Sequence, residues 1–269
     1  MSTRRPRLAR HARGLTLTEM MVGLAAGLVV TLAGTTGLLL ARQGFSTSSD
    51  QSSSLDAGRL ALDLLVRNVR MAGSPPFDPA TFNVSTVMQL PGGAIPLQGT
   101  EGGTGPDSLT VRFWSNQAYS PTTMLGADCL GQAVGVGMVV NTFSVSSTLG
   151  LACVGNGTGS TGTALAVAGQ VTDLQLLYGL ASSAESNSAE RFVNATTVTS
   201  ENAWARVRSV DICVEVMATD PRAGSGASPG LNCRAVAFAN DNRLRRVYRT
   251  TVNVRNTTTG NIFPGNAMP

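Results

Sequence analysis

From Leu15 to Ala41 the chain runs for 27 residues with one charge, Glu19, and the 22 residues from Met20 to Ala41 carry none. An α-helix needs about 20 apolar residues to cross the hydrocarbon core of a bilayer, so this run is long enough to span one. A secretory signal peptide has a shorter apolar stretch, followed by a small-residue cleavage site. Here the run ends in Ala41-Arg42-Gln43, which is a poor site for such cleavage. A plain single-span anchor accounts for the length but leaves Gly14 and Glu19 unexplained. A carboxylate inside an apolar run costs about 2–3 kcal/mol on insertion scales and marks a position with a function.

Charge gives the run its orientation. All 20 basic residues are arginine, and five of them (Arg4, Arg5, Arg7, Arg10, Arg13) precede Gly14 with no acid among them. By the positive-inside rule that end stays in the cytoplasm and the bulk of the chain lies outside. Without residues 1–14 the chain holds 15 arginines against 16 acids, a formal −1 in place of +4. The basic balance therefore belongs to the leader and gives no reason to expect a nucleic-acid partner. Four cysteines, an even number, suit an oxidising compartment.

Beyond the apolar run the pattern divides into a helical and a β-rich part. Gly44 to Ser54 is serine-rich, so the helix is expected to loosen there and restart at Ser53 and Asp56 with a capping-box-like signal. Leu55, Leu62, Leu65, Val66 and Val69 then recur at helical spacing, with Arg59, Asp63, Arg67 and Arg70 on the polar side. Gly73 and Ser74-Pro75-Pro76 end the helix. Further on, strands are expected at Ser108–Trp114, Val134–Val145, Val171–Leu180, Val210–Val216 and Tyr248–Val254. A short capped helical turn is expected at Ser200–Trp204, and the loops Gly155–Thr163 and Asp220–Asn232 read as decoration. The domain reading is a leader at 1–14, a transmembrane or filament-core helix at 15–41, a linker and amphipathic helix at 42–73, and a β-rich head at 74–269.

Of three possible cysteine connectivities, Cys129–Cys153 with Cys213–Cys233 is the one expected. Cys213 lies in the strongest strand, and Cys233 opens the next apolar stretch after a Gly/Ser/Pro-rich loop, which suits a bridge between neighbouring strands. The other reading leaves the cysteines free, as small buried apolar residues.

Motif matches to catalytic sites fail on chemistry. Gly157–Gly162 spells GxGxxG but lies outside any βαβ unit. Gly226–Gly230 spells GxSxG, yet the one histidine, His11, is in the leader and no base is left for a serine nucleophile. With no lysine anywhere, a P-loop or Schiff base is excluded. The cysteine spacing lacks the pairs of a zinc site, and Asn240-Asp241-Asn242 offers one carboxylate where calcium gathers several oxygens. The sequons at Asn83, Asn156, Asn194 and Asn256 are chance matches in a threonine-rich chain. No enzyme, no metal and no cofactor is expected.

The leader, Gly14 and Glu19 together resemble the class III signal of type IV prepilins and pseudopilins. In that family a dedicated peptidase cuts after the glycine and methylates the new N-terminus, here between Gly14 and Leu15, with Glu19 fifth in the mature chain. Leu15 in place of the usual phenylalanine, and the polar Thr16 and Thr18, depart from the family pattern. Further along, Ala61–Gly73 resembles the helix-ending motif shared by PilW-type minor pilins and J-type pseudopilins of type II secretion. Val171–Gly179, Trp204 with Val207–Val210, and Arg245–Asn256 resemble PilW-type segments in particular. The resemblance implies an α+β fold: a long N-terminal helix, its first half in the membrane, packed on an antiparallel β-sheet head. It implies a minor pilin that primes type IV pilus assembly near the tip, with a J-type pseudopilin as the alternative. An envelope enzyme or binding protein on a membrane anchor is the reading from another class. Expected partners are other minor and major pilins, the prepilin peptidase, a tip adhesin and the inner membrane, with the head in the periplasm and later in the pilus. Glu19 is expected as an assembly contact, its carboxylate meeting the α-amine of a neighbouring subunit; the alternative is that it neutralises its own Leu15 terminus one helical turn away.

Overall fold

The computed structural model describes residues 14, 16–75, 77–78, 83–84, 90–115, 126–135, 137–159, 162–184, 186–219 and 228–256. The chain divides into two compact units, Met1–Ser49 and Asp50–Pro269. The element crossing that division is one helix, α1 (Leu17–Met71).

In the first unit α1 is apolar on every side, and its residues are exposed from Leu17 to Ser46, as in Leu17 at 77% and Leu40 at 68%. Its length and composition suffice to cross a membrane. Threonine hydroxyls within it donate to carbonyls of the preceding turn, Thr31 Oγ1 to Gly27 O at 3.0 Å and Thr36 Oγ1 to Leu32 O at 3.0 Å, so these donors are satisfied within the helix.

The expected loosening over Gly44–Ser54 does not occur, and no restart at Ser53 and Asp56 is needed. Thr47 donates to Gln43 O at 2.8 Å and Ser54 to Asp50 O at 2.8 Å, which turns hydroxyls that compete with a helix into groups that follow it. A helix already nucleated gains one backbone bond per added residue, so a weak stretch inside a long helix is cheap to keep.

In the second unit α1 presents Ser54, Gly58, Ala61, Leu65, Asn68 and Val69 to the core. Leu55, Leu62 and Val66 flank this seam half-buried, while Asp63 and Arg67 pair at 2.9 Å on the exposed side. The helix ends in the manner expected. Gly73 takes φ +70°, and its N–H donates to Arg112 O at 2.8 Å. Asn256, from the far end of the chain, donates to Ala72 O at 3.1 Å.

The rest is antiparallel. A two-stranded pair, β1 (Phe77–Asp78) and β2 (Asn83–Val84), precedes a five-stranded meander. The meander is β3 (Leu97–Thr100), β4 (Ser108–Ser115), β5 (Gly137–Ser146), β6 (Gly150–Val154) and β7 (Leu165–Ala168), in spatial order β3-β4-β5-β6-β7. A second sheet has the order β11-β10-β8-β9, from β8 (Val171–Leu180), β9 (Arg191–Val193), β10 (Val207–Met217) and β11 (Arg245–Asn253). Leu109, Val111 and Phe113 of β4 and Val210, Ile212, Val214 and Val216 of β10 form the inward stripes their alternation predicts. Both stripes and the α1 seam share one core. The fold is α+β, a long N-terminal helix whose second part packs on antiparallel sheets.

The short helix is displaced from its expected place. Helix α2 spans Ala195–Ser200 with Asn194 as its N-cap, the side chain accepting from Thr197 N–H, and Trp204–Arg206 forms a separate 3-10 turn. Asn194 has the free N–H of the third helical residue within reach, which leaves Ser200 inside the helix rather than at its start.

Candidate functional site

The residues expected to take part in processing and assembly lie at the start of α1. Gly14 is exposed ahead of the helix; Leu15, the expected cleavage and methylation residue, lies outside the described residues. Thr16 and Glu19 close a capping box. The Glu19 N–H donates to Thr16 Oγ1 at 3.3 Å, while Glu19 Oε2 accepts from Thr16 N–H at 2.9 Å and from its hydroxyl at 2.9 Å. The pattern T-x-x-E was present in the sequence as the signal for this arrangement. Glu19 thereby satisfies donors that a helix start otherwise leaves open. One of its oxygens is engaged by these two Thr16 donors.

The cysteines pair as Cys129–Cys153 and Cys213–Cys233, with Cα separations of 6.4 and 5.7 Å. The first ties the 126–135 segment to β6; the second ties the chain after residue 228 to the outer side of β10, where Cys213 stands between Gln175 of β8 and Arg249 of β11. The segment at Gly155 does more than decorate. Asp128, 6% exposed, accepts from Leu130 N–H and Gln132 N–H through Oδ1 and from Gly157 N–H at 2.8 Å through Oδ2. A Cβ at Gly155 would lie 2.0 Å from that same oxygen, so the glycine is a packing requirement. Of Asp220–Asn232, residues 220–227 lie outside the described residues.

The segments Val171–Gly179 and Trp204–Val210 hold the head together. Tyr178 is fully buried and meets Trp204 edge-to-face, with ring centroids 5.0 Å apart. Arg208, 4% exposed, donates to the carbonyls of Ser186 at 2.7 Å and Ala205 at 2.8 Å, organising the backbone around β9. Asp107 joins the two sheets: its N–H donates to Leu174 O at 2.8 Å and its Oδ2 accepts from Leu176 N–H at 2.8 Å, like a one-residue strand beside β8. Burial pushes the Asp107 carboxyl above its usual range, against the pull of the Gly102 and Leu176 N–H donors. Glu101 is also raised, first by desolvation and then by the charge of Asp107. Burial likewise pushes the Tyr178 phenol up.

The outer face of the second sheet carries charged groups in pairs. Arg249 Nε donates to Asp211 at 2.8 Å, Arg234 to Asp173 at 3.1 Å, and Arg245 bridges Glu215 at 2.7 Å and Asp241 at 2.6 Å. A shallow cleft there is lined by Glu101, Gln175, Leu177, Cys213, Arg234 and Arg249. Both of its arginines are neutralised by neighbours, and among the described residues that line it no nucleophile is paired with a base. Asp241, of the calcium-like turn, is spent on Arg245 and on the Arg243 N–H. Ser228, the serine of GxSxG, donates to Arg243 O and accepts from Arg245 N–H as a turn residue. Among the described residues no group of three or more His, Cys, Asp or Glu could hold a metal ion.

Asn68 and Asn141, which stand out in no sequence pattern, form a buried amide pair at the helix seam, 2.7 Å apart. Asn141 stands between the buried Val139 and Phe143 and Asn68 beside Leu65 and Val69, and nothing local in the sequence announces either partner.

No curated protein matches the chain. Among solved structures, a type IV-like pilin from Thermus thermophilus aligns over 76% of this chain and 96% of its own at 16% identity, with a TM-score of 0.43. Residues 139–256, from β5 through the Asn256 that closes the end of α1, match the family model for the type IV pilus-assembly protein W, PilW.

Proposed function

We propose that this protein is a PilW-type minor pilin, made as a precursor, cut between Gly14 and Leu15, and held in the inner membrane by residues 15–41 with its head, residues 74–269, in the periplasm. The observation that carries the reading is the PilW match over residues 139–256 on a chain that begins with a basic leader and a charge-interrupted apolar helix. Its role is to prime type IV pilus assembly near the tip through contacts with other minor and major pilins. The mechanism follows from the helix. An apolar face exposed all round is stable in lipid, or against the same face of a neighbouring pilin. Glu19 spends Oε2 on its own helix start and keeps Oε1 for an α-amine at the same depth, where low dielectric strengthens the attraction. A head tied by two disulfides and carrying no catalytic constellation among the described residues fits a structural subunit.

Two measurements test this. Intact mass of the membrane-extracted protein should show loss of residues 1–14, with or without one added methyl on Leu15; a full-length chain from cells with active prepilin peptidase overturns the processing. Deletion of the gene should abolish or sharply reduce surface pili while leaving type II secretion unchanged. Loss of secretion with normal pili would instead identify a J-type pseudopilin.

A further inference from the structure

The buried seam of α1 carries little information about its own position. Ser54, Gly58, Ala61, Leu65 and Asn68, with Ala72 just beyond the helix, follow one another at steps of four, three, four, three and four residues, and Val69 is buried beside Asn68. Most of them are small. A repeat of that kind presents nearly the same surface after a slip of one turn, about 5.4 Å along the axis. Apolar burial alone therefore discriminates weakly between registers of the helix on the sheets.

Beyond the contacts of Gly73 and Asn256 at the helix end, two contacts within the seam discriminate. The Tyr248 ring of β11 occupies the space over Gly58, where a Cβ would lie 2.3 Å from Cε2. Ten residues further on, Asn68 meets Asn141, which stands on the core face of β5 between the fully buried Val139 and Phe143. Asn141 Nδ2 donates to Asn68 Oδ1 at 2.7 Å, Asn141 Oδ1 accepts from Cys129 N–H at 2.9 Å, and Asn68 Nδ2 donates to Leu64 O at 2.9 Å. Both amides are therefore satisfied on each side, at 5% and 1% exposure. A slip of one turn would bring Leu64 or Ala72 opposite Asn141 and leave its NH2 buried with no acceptor. Such a vacancy is costly, whereas two apolar side chains of similar size would pack in any register. The same logic lets a single buried asparagine fix the register of a coiled coil.

We infer that Asn68 and Asn141 are positioning residues, a register key that fixes where the head sits along the second half of α1. The chain through Cys129 N–H extends the key to the segment held by the Cys129–Cys153 bond. The inference concerns the folded subunit and stands apart from the filament reading, but deepens it: in a filament built on the helix, a one-turn slip would displace every head contact.

The test uses the full chain in detergent micelles with 15N-labelled glycine, comparing wild type, Asn68→Leu, Asn141→Leu and the double variant. Each single change should lower the folding equilibrium constant at least tenfold by leaving one buried amide without its partner. The double variant should recover most of that loss, while the Gly58 and Gly73 signals, single in wild type, split or broaden into several registers. Recovered stability with single sharp signals would show that register is fixed without the pair. A double variant as unstable as the two single losses combined, or one that does not fold, would show a stability element instead. Either result overturns the inference, and neither depends on whether the protein enters a pilus.

Discussion

Replacing Gly58 by alanine sets two opposing effects against each other, and the structure says which should win. In a helix interior alanine is favoured over glycine by about 1 kcal/mol, because the backbone loses less freedom on folding. Against that, the new Cβ would lie 2.3, 2.4 and 2.8 Å from Cε2, Cδ2 and Cζ of Tyr248. One whole edge of the ring is involved, so a small rotation of its tip cannot relieve the overlap. Forcing extra volume into a packed contact costs about 1–3 kcal/mol. The net expectation is a loss of about 0–2 kcal/mol, a fall in melting temperature of about 2–4 °C per kcal/mol for a domain this size. Removing the ring reverses the sign. In a Tyr248→Ala background the overlap is gone, and Gly58→Ala should stabilise by about 1 kcal/mol. Denaturant or thermal melts of the four proteins, followed by circular dichroism in detergent, measure the crossing directly. If Gly58→Ala stabilises by the same amount in both backgrounds, the ring is free to leave and the close approach does not seat the helix on β11.

Three further outcomes follow from the head. Tyr178 Oη is buried with no partner among the described residues, so Tyr178→Phe should raise stability by about 1 kcal/mol in denaturant melts, whereas a loss of that size would mean the hydroxyl is satisfied after all. Glu101 has a raised folded-state pKa, so its favourable contribution is complete below its unfolded value and is lost as pH rises through the folded one. Glu101→Gln should accordingly be more stable than wild type at neutral pH, with the advantage shrinking below about pH 4; a constant difference across that range would refute the desolvation argument. Arg245→Met strands Glu215, which is 5% exposed, and should cost about 3 kcal/mol in the same assay, while Arg245→Met with Glu215→Leu should regain much of it.

The parts of this fold that were legible in the sequence are those where chemistry and period agree locally. The apolar run needs no partner to be recognised, and the stripes at Leu109–Phe113 and Val210–Val216 declare an inward face by alternation alone. Where both faces are buried, the signal disappears. Strand β6, Gly150–Val154, is buried at four of its five residues and has no period to read. Strands β3, β7 and β9 are three or four residues long, too short for periodicity. The division into two sheets rests on pairings across long separations, such as β10 lying between β8 and β11, and Asp107 bonding to Leu174 and Leu176. The candidate site divides the same way. Gly14, Glu19 and the cysteine pairs stand out by residue type and spacing, while the capping role of Glu19 was spelled in T-x-x-E but needs the helix start at Thr16 to be seen.

The helix seam shows why the remainder stayed hidden. Of the apolar stripe Leu55, Leu62, Leu65, Val66 and Val69, only Leu65 and Val69 are fully buried while the other three lie half-buried, and the rest of the seam set against the sheets is Ser54, Gly58, Ala61 and Asn68. Read alone, a serine, a glycine and an asparagine weaken a helix. Each is explained by a group more distant in sequence or by the preceding turn: Tyr248 fills the space over Gly58, Asn141 meets Asn68, and Ser54 bonds back to Asp50. Helix propensity is thus given up where close approach to the sheets requires it, and continuity of the long helix keeps the local loss small. The positions that look least helical are therefore the ones that join the helix to the head, and a substitution that improves the helix there, such as Gly58→Ala, should weaken the protein.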